Sequence, residues 1–185
     1  MSTATLEAEM FAVCGSPIEQ SMLRAIMAEG HRLGWFVSVN WLCPCKRADG
    51  CLECTWGFRG CSTRDPERAP APGETTLVLH LQWEVGPHRV DFLVRVDNEP
   101  AADGSIWTAG QYVIECDGHE AHSTREQRTA DAQRDRYLVE HGYRVLRFTG
   151  SEIWRNAAQC ASEALRILQV RGHRHPAPPT ERGEL

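Results

Sequence analysis

The chain has no apolar run approaching the length of a membrane-spanning helix, which excludes a helical span within its 185 residues. Its first residues lack the basic-then-apolar layout of a secretory signal, so the expected location is the cytoplasm, with no membrane partner. Excess positive charge is also missing. The formal net charge is −5, and because phosphate contacts are dominated by Lys and Arg, that balance alone argues against a polyanionic partner. There are no convincing internal repeats, and no helix carries a clear nucleic-acid recognition signature. What is present is 42% hydrophobic residues, enough at this length for one well-packed domain and too little for two ordinary ones.

The apolar pattern reads as α/β. Ser16-Pro17-Ile18-Glu19 combines a capping hydroxyl, proline at the first helical position and glutamate at the third. It predicts a helix carrying Ile18, Met22, Leu23, Ile26 and Met27 that ends near Gly30 and Gly34. Residues 35–42 alternate as a strand, 77–83 and 89–96 pair as a hairpin across Gly86-Pro87, and 111–116 form a further strand after a long connection over 99–110. A polar helix over 123–141 and a short buried strand over 143–148 follow. Ser151 opens a last helix with Ile153, Ala157, Ala161, Ala164, Leu165 and Leu168 on its inner face. Residues 1–15 read as an N-terminal extension and 171–185, with Pro176, Pro178 and Pro179, as a disordered tail.

Eight cysteines, in a chain without a secretory signal, read as reduced thiols or metal ligands rather than disulfides. Four of them, Cys43, Cys45, Cys51 and Cys54, lie in a cysteine- and proline-rich insertion over 43–75. Cys51-x-x-Cys54 has the spacing of one half of a tetrahedral Zn²⁺ site, with Cys43-x-Cys45 as an unusual other half. The alternative is a loop of reactive or partly buried thiols.

Most informative are two segments, Val90-Asp91-Phe92 and Tyr112-Val113-Ile114-Glu115-Cys116-Asp117-Gly118. Side chains alternate along a strand, so Glu115 and Asp117 share one face, and a neighbouring strand can bring Asp91 to the same place. Carboxylates that close repel one another and are costly to desolvate, and a bound Mg²⁺ or Mn²⁺ is the natural reason for them to coexist. Arg125, Arg128, Arg134, Arg136, Arg144 and Arg147 follow within about two dozen residues. They read either as a local basic face or as an ordinary solvated helix with i,i+4 pairs. On the polar helix, Gln127, Asp131, Arg134 and Leu138 fall in one narrow sector. That stripe reads as partly buried near the carboxylates, against the alternative of a surface salt-bridge ladder.

The run Ile114-Glu115-Cys116-Asp117-Gly118-His119-Glu120-Ala121-His122, with Thr124-Arg125-Glu126-Gln127, Asp131, Arg134-Asp135-Arg136 and Gly142-Tyr143-Arg144-Val145-Leu146-Arg147-Phe148-Thr149-Gly150-Ser151-Glu152-Ile153, resembles the very-short-patch-repair-like and DUF559-like branch of the PD-(D/E)xK nucleases. The resemblance spans roughly 16–168, apart from about 39–75. It implies a restriction-endonuclease-like core over 16–170, a central mixed β-sheet flanked by helices, and metal-dependent hydrolysis of phosphodiesters. On that pattern Asp91 and Glu115 bind Mg²⁺, with the backbone carbonyl of Cys116 as a further ligand. Glu19 is either another metal ligand or the acceptor of a capping box. The family's commonest lysine, two positions beyond the glutamate, is replaced here by Asp117. The general base is therefore open: Asp117 is a candidate for a second ion, while His119, His122 and Gln127 are candidates to orient the nucleophile, His122 being preferred among the histidines. Arg134 and Arg147 are candidate phosphate contacts, Arg147 alternatively pairing with Glu152 or Asp135.

Two readings from different classes stand at this point. One is an endonuclease acting on DNA, with RNA as an alternative, that nicks alone or cuts as a homodimer or within a larger repair, restriction or defence complex. The other is an inactive nuclease-fold module that binds nucleic acid or protein, the missing lysine marking lost catalysis. A variant of the second makes the cysteine-rich insertion the main partner-binding surface.

Overall fold

The capping chemistry at Ser16 starts its helix as expected. In the computed structural model Ser16 Oγ accepts the Glu19 N–H at 3.2 Å, Pro17 occupies the first turn, and the helix runs Pro17–Arg32 (α2) with Met22, Leu23 and Ile26 buried. The structure describes residues 3–42, 58–62, 70–71, 73–98, 106–118, 124–171 and 173–175. Ahead of α2 lies Thr3–Val13 (α1), so the expected extension is helical, and its Met10 is part of the core at 1% exposure.

Among the described residues seven strands follow: Phe36–Leu42 (β1), Phe58–Ser62 (β2), Thr75–Val85 (β3), His88–Asn98 (β4), Ile106–Asp117 (β5), Arg144–Thr149 (β6) and His173–His175 (β7). Two more helices are Arg125–Glu140 (α3) and Gly150–Arg171 (α4). The mixed sheet has the order β2-β1-β3-β4-β5-β6, with β7 pairing the start of β5. The β1–β3 and β5–β6 pairs are parallel, while β3, β4 and β5 form an antiparallel meander. The expected α/β architecture with helices flanking a central mixed sheet is therefore present. The β3–β4 hairpin turns on Gly86 and Pro87, with Gly86 at φ +58°, a left-handed conformation that glycine takes without steric penalty.

Two sheet faces are covered separately. Buried residues of α2 and α4 (Met22, Leu23, Ile26, Ile153, Ala161, Leu165, Leu168) join Leu79, Phe92, Ile114 and Phe148 in one cluster. The opposite face carries a smaller cluster in which Leu138 of α3 packs with Val85, Val90, Leu93 and Val113. Gly30 lets α2 approach closely, since a Cβ there would meet Val37 and Leu77 methyls at 2.8 and 2.9 Å.

Some boundaries differ from expectation. The connection assigned to 99–110 is strand from Ile106 onward, accommodated by a register shift opposite Arg95 and Asp97 and by Gly110 at φ +80°. Within the supposed tail, His173–His175 pairs with Ile106–Thr108. The last helix is two segments: Asn156 leaves helical geometry (φ −162°, ψ 82°) and its Oδ1 accepts the Gln159 N–H at 3.1 Å, acting as an internal cap. The cysteine positions Cys43, Cys45, Cys51 and Cys54 lie outside the described residues. No described helix is long and apolar enough to cross a membrane.

Candidate active site

Register, more than any single strand, assembles the site. β3 pairs with β4 through Leu81↔Phe92 and Trp83↔Val90, which leaves Gln82 and Asp91 facing across an interrupted step. On the other side Phe92 pairs with Ile114, so Asp91 lies one step on beside Glu115, and Glu115 pairs with Arg147 across β6. Four adjacent strands thus present Gln82, Asp91, Glu115 and Arg147 in a row. α2 adds Glu19 from one side, and α3 adds Arg134 and Asp135 from the other.

Each carboxylate has a distinct environment. Asp91 Oδ2 accepts the Cys116 N–H at 2.8 Å, and Oδ1 lies 3.3 Å from Gln82 Nε2. Burial, reinforced by the charge on Glu19, pushes the Asp91 pKa up to about 6, even though the Cys116 N–H, Arg134 and Gln82 favour the ionised form. Glu115 is 4% exposed. Its Oε2 pairs with Arg134 Nη2 at 2.8 Å, while its Oε1 and Arg134 Nε are buried without a hydrogen-bond partner among the described residues. Burial and the Asp91 charge push Glu115 up to about 7 against the pull of Arg134 and Arg147.

Glu19 fills the capping role. Its Oε2 accepts the Gly15 N–H and Gln82 Nε2, each at 2.7 Å, and its Oε1 accepts Ser16 Oγ at 2.9 Å. The same carboxylate is buried and linked through Gln82 to Asp91, so it belongs physically to the cluster as well. Cys14 and Cys116 border the acids. Burial and the charges on Glu19 and Asp91 raise the Cys14 thiol to about 12, and burial with the surrounding acids raises Cys116 further. Both thiols stay protonated, which leaves the backbone carbonyl as the donor Cys116 has to offer.

Asp117 and Arg147 form a different unit. Arg147 Nη1 bonds both Asp117 oxygens at 3.0 and 3.2 Å, and Nη2 pairs with Asp135 Oδ1 at 2.5 Å. Burial opposes the guanidinium charge, yet these two acids more than offset it and hold its pKa above the usual arginine value. Of the alternatives for Arg147, the structure has Asp135. Glu152 instead caps α4, accepting the Thr149 N–H at 2.8 Å. Asp131 is exposed, whereas Arg134 is half-buried and Leu138 fully buried, so among the described side chains of the expected α3 stripe burial begins at Arg134. The solvent face of α3 mixes exposed Arg125, Arg128 and Arg136 with exposed Glu126, Asp131 and Glu140; it carries both signs. His119 and His122, and the side chain of Gln127, lie outside the described residues.

The donor set suits a hard divalent ion: half-buried Asp91 and buried Glu115, each pushed toward the protonated form by burial and a neighbouring acid, and one carboxylate oxygen with no hydrogen-bond partner among the described residues. Among the described residues, however, no three His, Cys, Asp or Glu side chains converge closely enough to hold a metal as they stand. Gln82 Nε2 bridges Glu19 Oε2 and Asp91 Oδ1, and the guanidinium of Arg134 pairs with one oxygen of Glu115. Gln82 has no distinguishing signal in sequence, since Leu77, Leu79, Leu81 and Trp83 make it read as an ordinary outward-facing strand residue.

The family model described as REase_MTES_1575 matches residues 74–168, about half of the chain and the whole of β3 to β6. The chain belongs to this restriction-endonuclease-like family. The matched segment includes Gln82, Asp91, Glu115, Asp117, Arg134 and Arg147, while Glu19 lies ahead of it. No curated protein and no solved structure matches.

Proposed function

We propose that the chain is a metal-dependent endonuclease that hydrolyses phosphodiester bonds in DNA, in the manner of the very-short-patch-repair-like branch it resembles. The observation that carries this reading is the pair of half-buried Asp91 and buried Glu115, side by side on β4 and β5 of a restriction-endonuclease-like family member. Mg²⁺ or Mn²⁺ on Asp91 and Glu115, with the Cys116 carbonyl as a further donor, would activate water and stabilise charge on the departing oxygen.

The chain's own residues have separable parts. Asp91 is held at both oxygens, by the Cys116 N–H and the Gln82 amide. Asp117 stands where the family's commonest pattern has lysine, and the positive charge comes instead from Arg134 on α3 and Arg147 on β6. Arg134 restrains Glu115 before phosphate enters and is proposed to contact phosphate afterwards. Arg147, already shared by Asp117 and Asp135, is proposed to set the local potential and to take a phosphate oxygen. His122 and Gln127 remain the proposed orienters of the nucleophile, and Asp117 a proposed second-ion ligand. A structural Zn²⁺ on Cys43, Cys45, Cys51 and Cys54 completes the reading.

A lone active site cuts one strand, so nicking is expected unless the protein pairs with a second copy. The test is incubation of supercoiled plasmid and of labelled single-stranded DNA and RNA with Mg²⁺, Mn²⁺ or EDTA. Nicked circles formed only with a divalent ion support the reading. Binding of any of these nucleic acids without cleavage in either ion replaces it with the binding-module reading.

A further inference from the structure

We infer that Gln82 is a positioning residue for the carboxylate site: a strained break in β3 holds its amide between Glu19 and Asp91, so that Asp91 is presented to a divalent cation in one orientation. The inference rests on the metal-dependent reading above and concerns the same site.

Three observations meet at this residue. First, Gln82 has φ +49°, the one positive-φ residue other than glycine among the described residues, and it sits inside a strand. Left-handed backbone is unfavourable for any residue with a Cβ, and glycine would hold it without strain, so a glutamine here implies use of its side chain. Second, the ladder to β4 is broken at this step and resumes on both sides, at Leu81↔Phe92 and Trp83↔Val90. Such breaks re-aim a side chain. Third, the re-aimed amide bridges two acids, Nε2 standing 2.7 Å from Glu19 Oε2 and 3.3 Å from Asp91 Oδ1. The nitrogen must face both, because the amide oxygen in its place would repel two carboxylates.

A chain of bonds therefore runs from the start of α2 to the proposed ligand. Gly15 N and Ser16 Oγ fix Glu19, Glu19 fixes the Gln82 amide, and the amide with the Cys116 N–H fixes both oxygens of Asp91. Without the amide, buried Glu19 and half-buried Asp91 lose the donor that links them. Partners that orient a metal ligand typically change metal affinity by about tenfold to a hundredfold when removed.

The test is Mn²⁺ titration by calorimetry on the full chain, wild type beside Gln82→Ala and Gln82→Gly, with the melting temperature of each. The inference predicts that both variants bind Mn²⁺ about tenfold to a hundredfold more weakly. It also predicts that Gln82→Gly melts higher than Gln82→Ala, because glycine relieves the strain while both lose the amide. Wild-type Mn²⁺ affinity in either variant, whatever its melting temperature, overturns it. Absence of Mn²⁺ binding by the wild type overturns the cation site itself and this inference with it. Cleavage plays no part in the readout, so failure of the nuclease reading shows separately in the plasmid assay.

Discussion

In the absence of divalent ions the folded protein should lose stability as pH rises from about 4.5 to 7.5, and a divalent ion should restore it only in the upper half of that range. Asp91 is raised from 3.8 to about 6 and Glu115 from 4.5 to about 7. The native state therefore holds protons that the unfolded chain has already released, and stability falls with pH wherever that is so. Each shift of about 2 units corresponds to about 3 kcal/mol. The two groups repel each other and titrate as a pair, so the combined effect lies between about 3 and 6 kcal/mol. The stabilisation is fully present below the unfolded values near 4 and is gone above the folded values near 7. Mn²⁺ at a hundred times its dissociation constant adds about 2.7 kcal/mol, because it binds the ionised pair. The assay is urea unfolding followed by tryptophan fluorescence at pH 5 and pH 8, with EDTA or Mn²⁺, for wild type and Asp91→Asn. The difference between the two proteins isolates the site from ordinary surface carboxylates. A wild type whose stability in EDTA, relative to Asp91→Asn, stays level or rises from pH 5 to 8 refutes the reasoning, as does equal stabilisation by Mn²⁺ at both pH values.

Further outcomes follow from the same contacts. Arg134→Met leaves Glu115 buried without its partner and should cost about 3 kcal/mol at pH 8 in denaturant titrations, with a smaller loss at pH 5 where Glu115 is protonated. Leu138→Ala opens the small cluster under α3 and should cost about 3 kcal/mol by the same measurement. Asn156→Ala removes the internal cap of α4 and should lower stability by about 1 kcal/mol. Elemental analysis of the purified protein should find one zinc per chain, lost in Cys51→Ser with Cys54→Ser; a zinc-free wild type would assign those cysteines to reduced thiols.

Legibility from sequence tracked how local the cause was. Ser16, Pro17 and Glu19 announce their helix because capping is decided within four residues, and Glu115 and Asp117 announce a shared face because strand alternation is fixed. Asp91 was reachable for the same reason once its strand was recognised beside that of Glu115. Gln82 was not, since its role arises from a break in the β3–β4 ladder and from Glu19, which lies 63 positions away in sequence. Arg134 was placed near the site by helical spacing, yet its pairing with Glu115 depends on where α3 crosses the sheet. The same spacing put Asp131 beside it, and Asp131 stands in solvent because burial along α3 begins only in the following turn, at Arg134. The early start of β5 was hidden by Gly110 and Thr108, which read as loop residues and here accommodate a bulge. The break at Asn156 was masked by apolar spacing that continues on both sides of it.

Most direct for the central claim is a side-by-side cleavage assay of wild type, Asp91→Asn and Glu115→Gln on supercoiled DNA with Mn²⁺, each variant first shown to be folded by its melting curve. The account predicts nicking by the wild type that EDTA stops, and a loss of at least about a hundredfold in each variant. Undiminished nicking by either folded variant would contradict it.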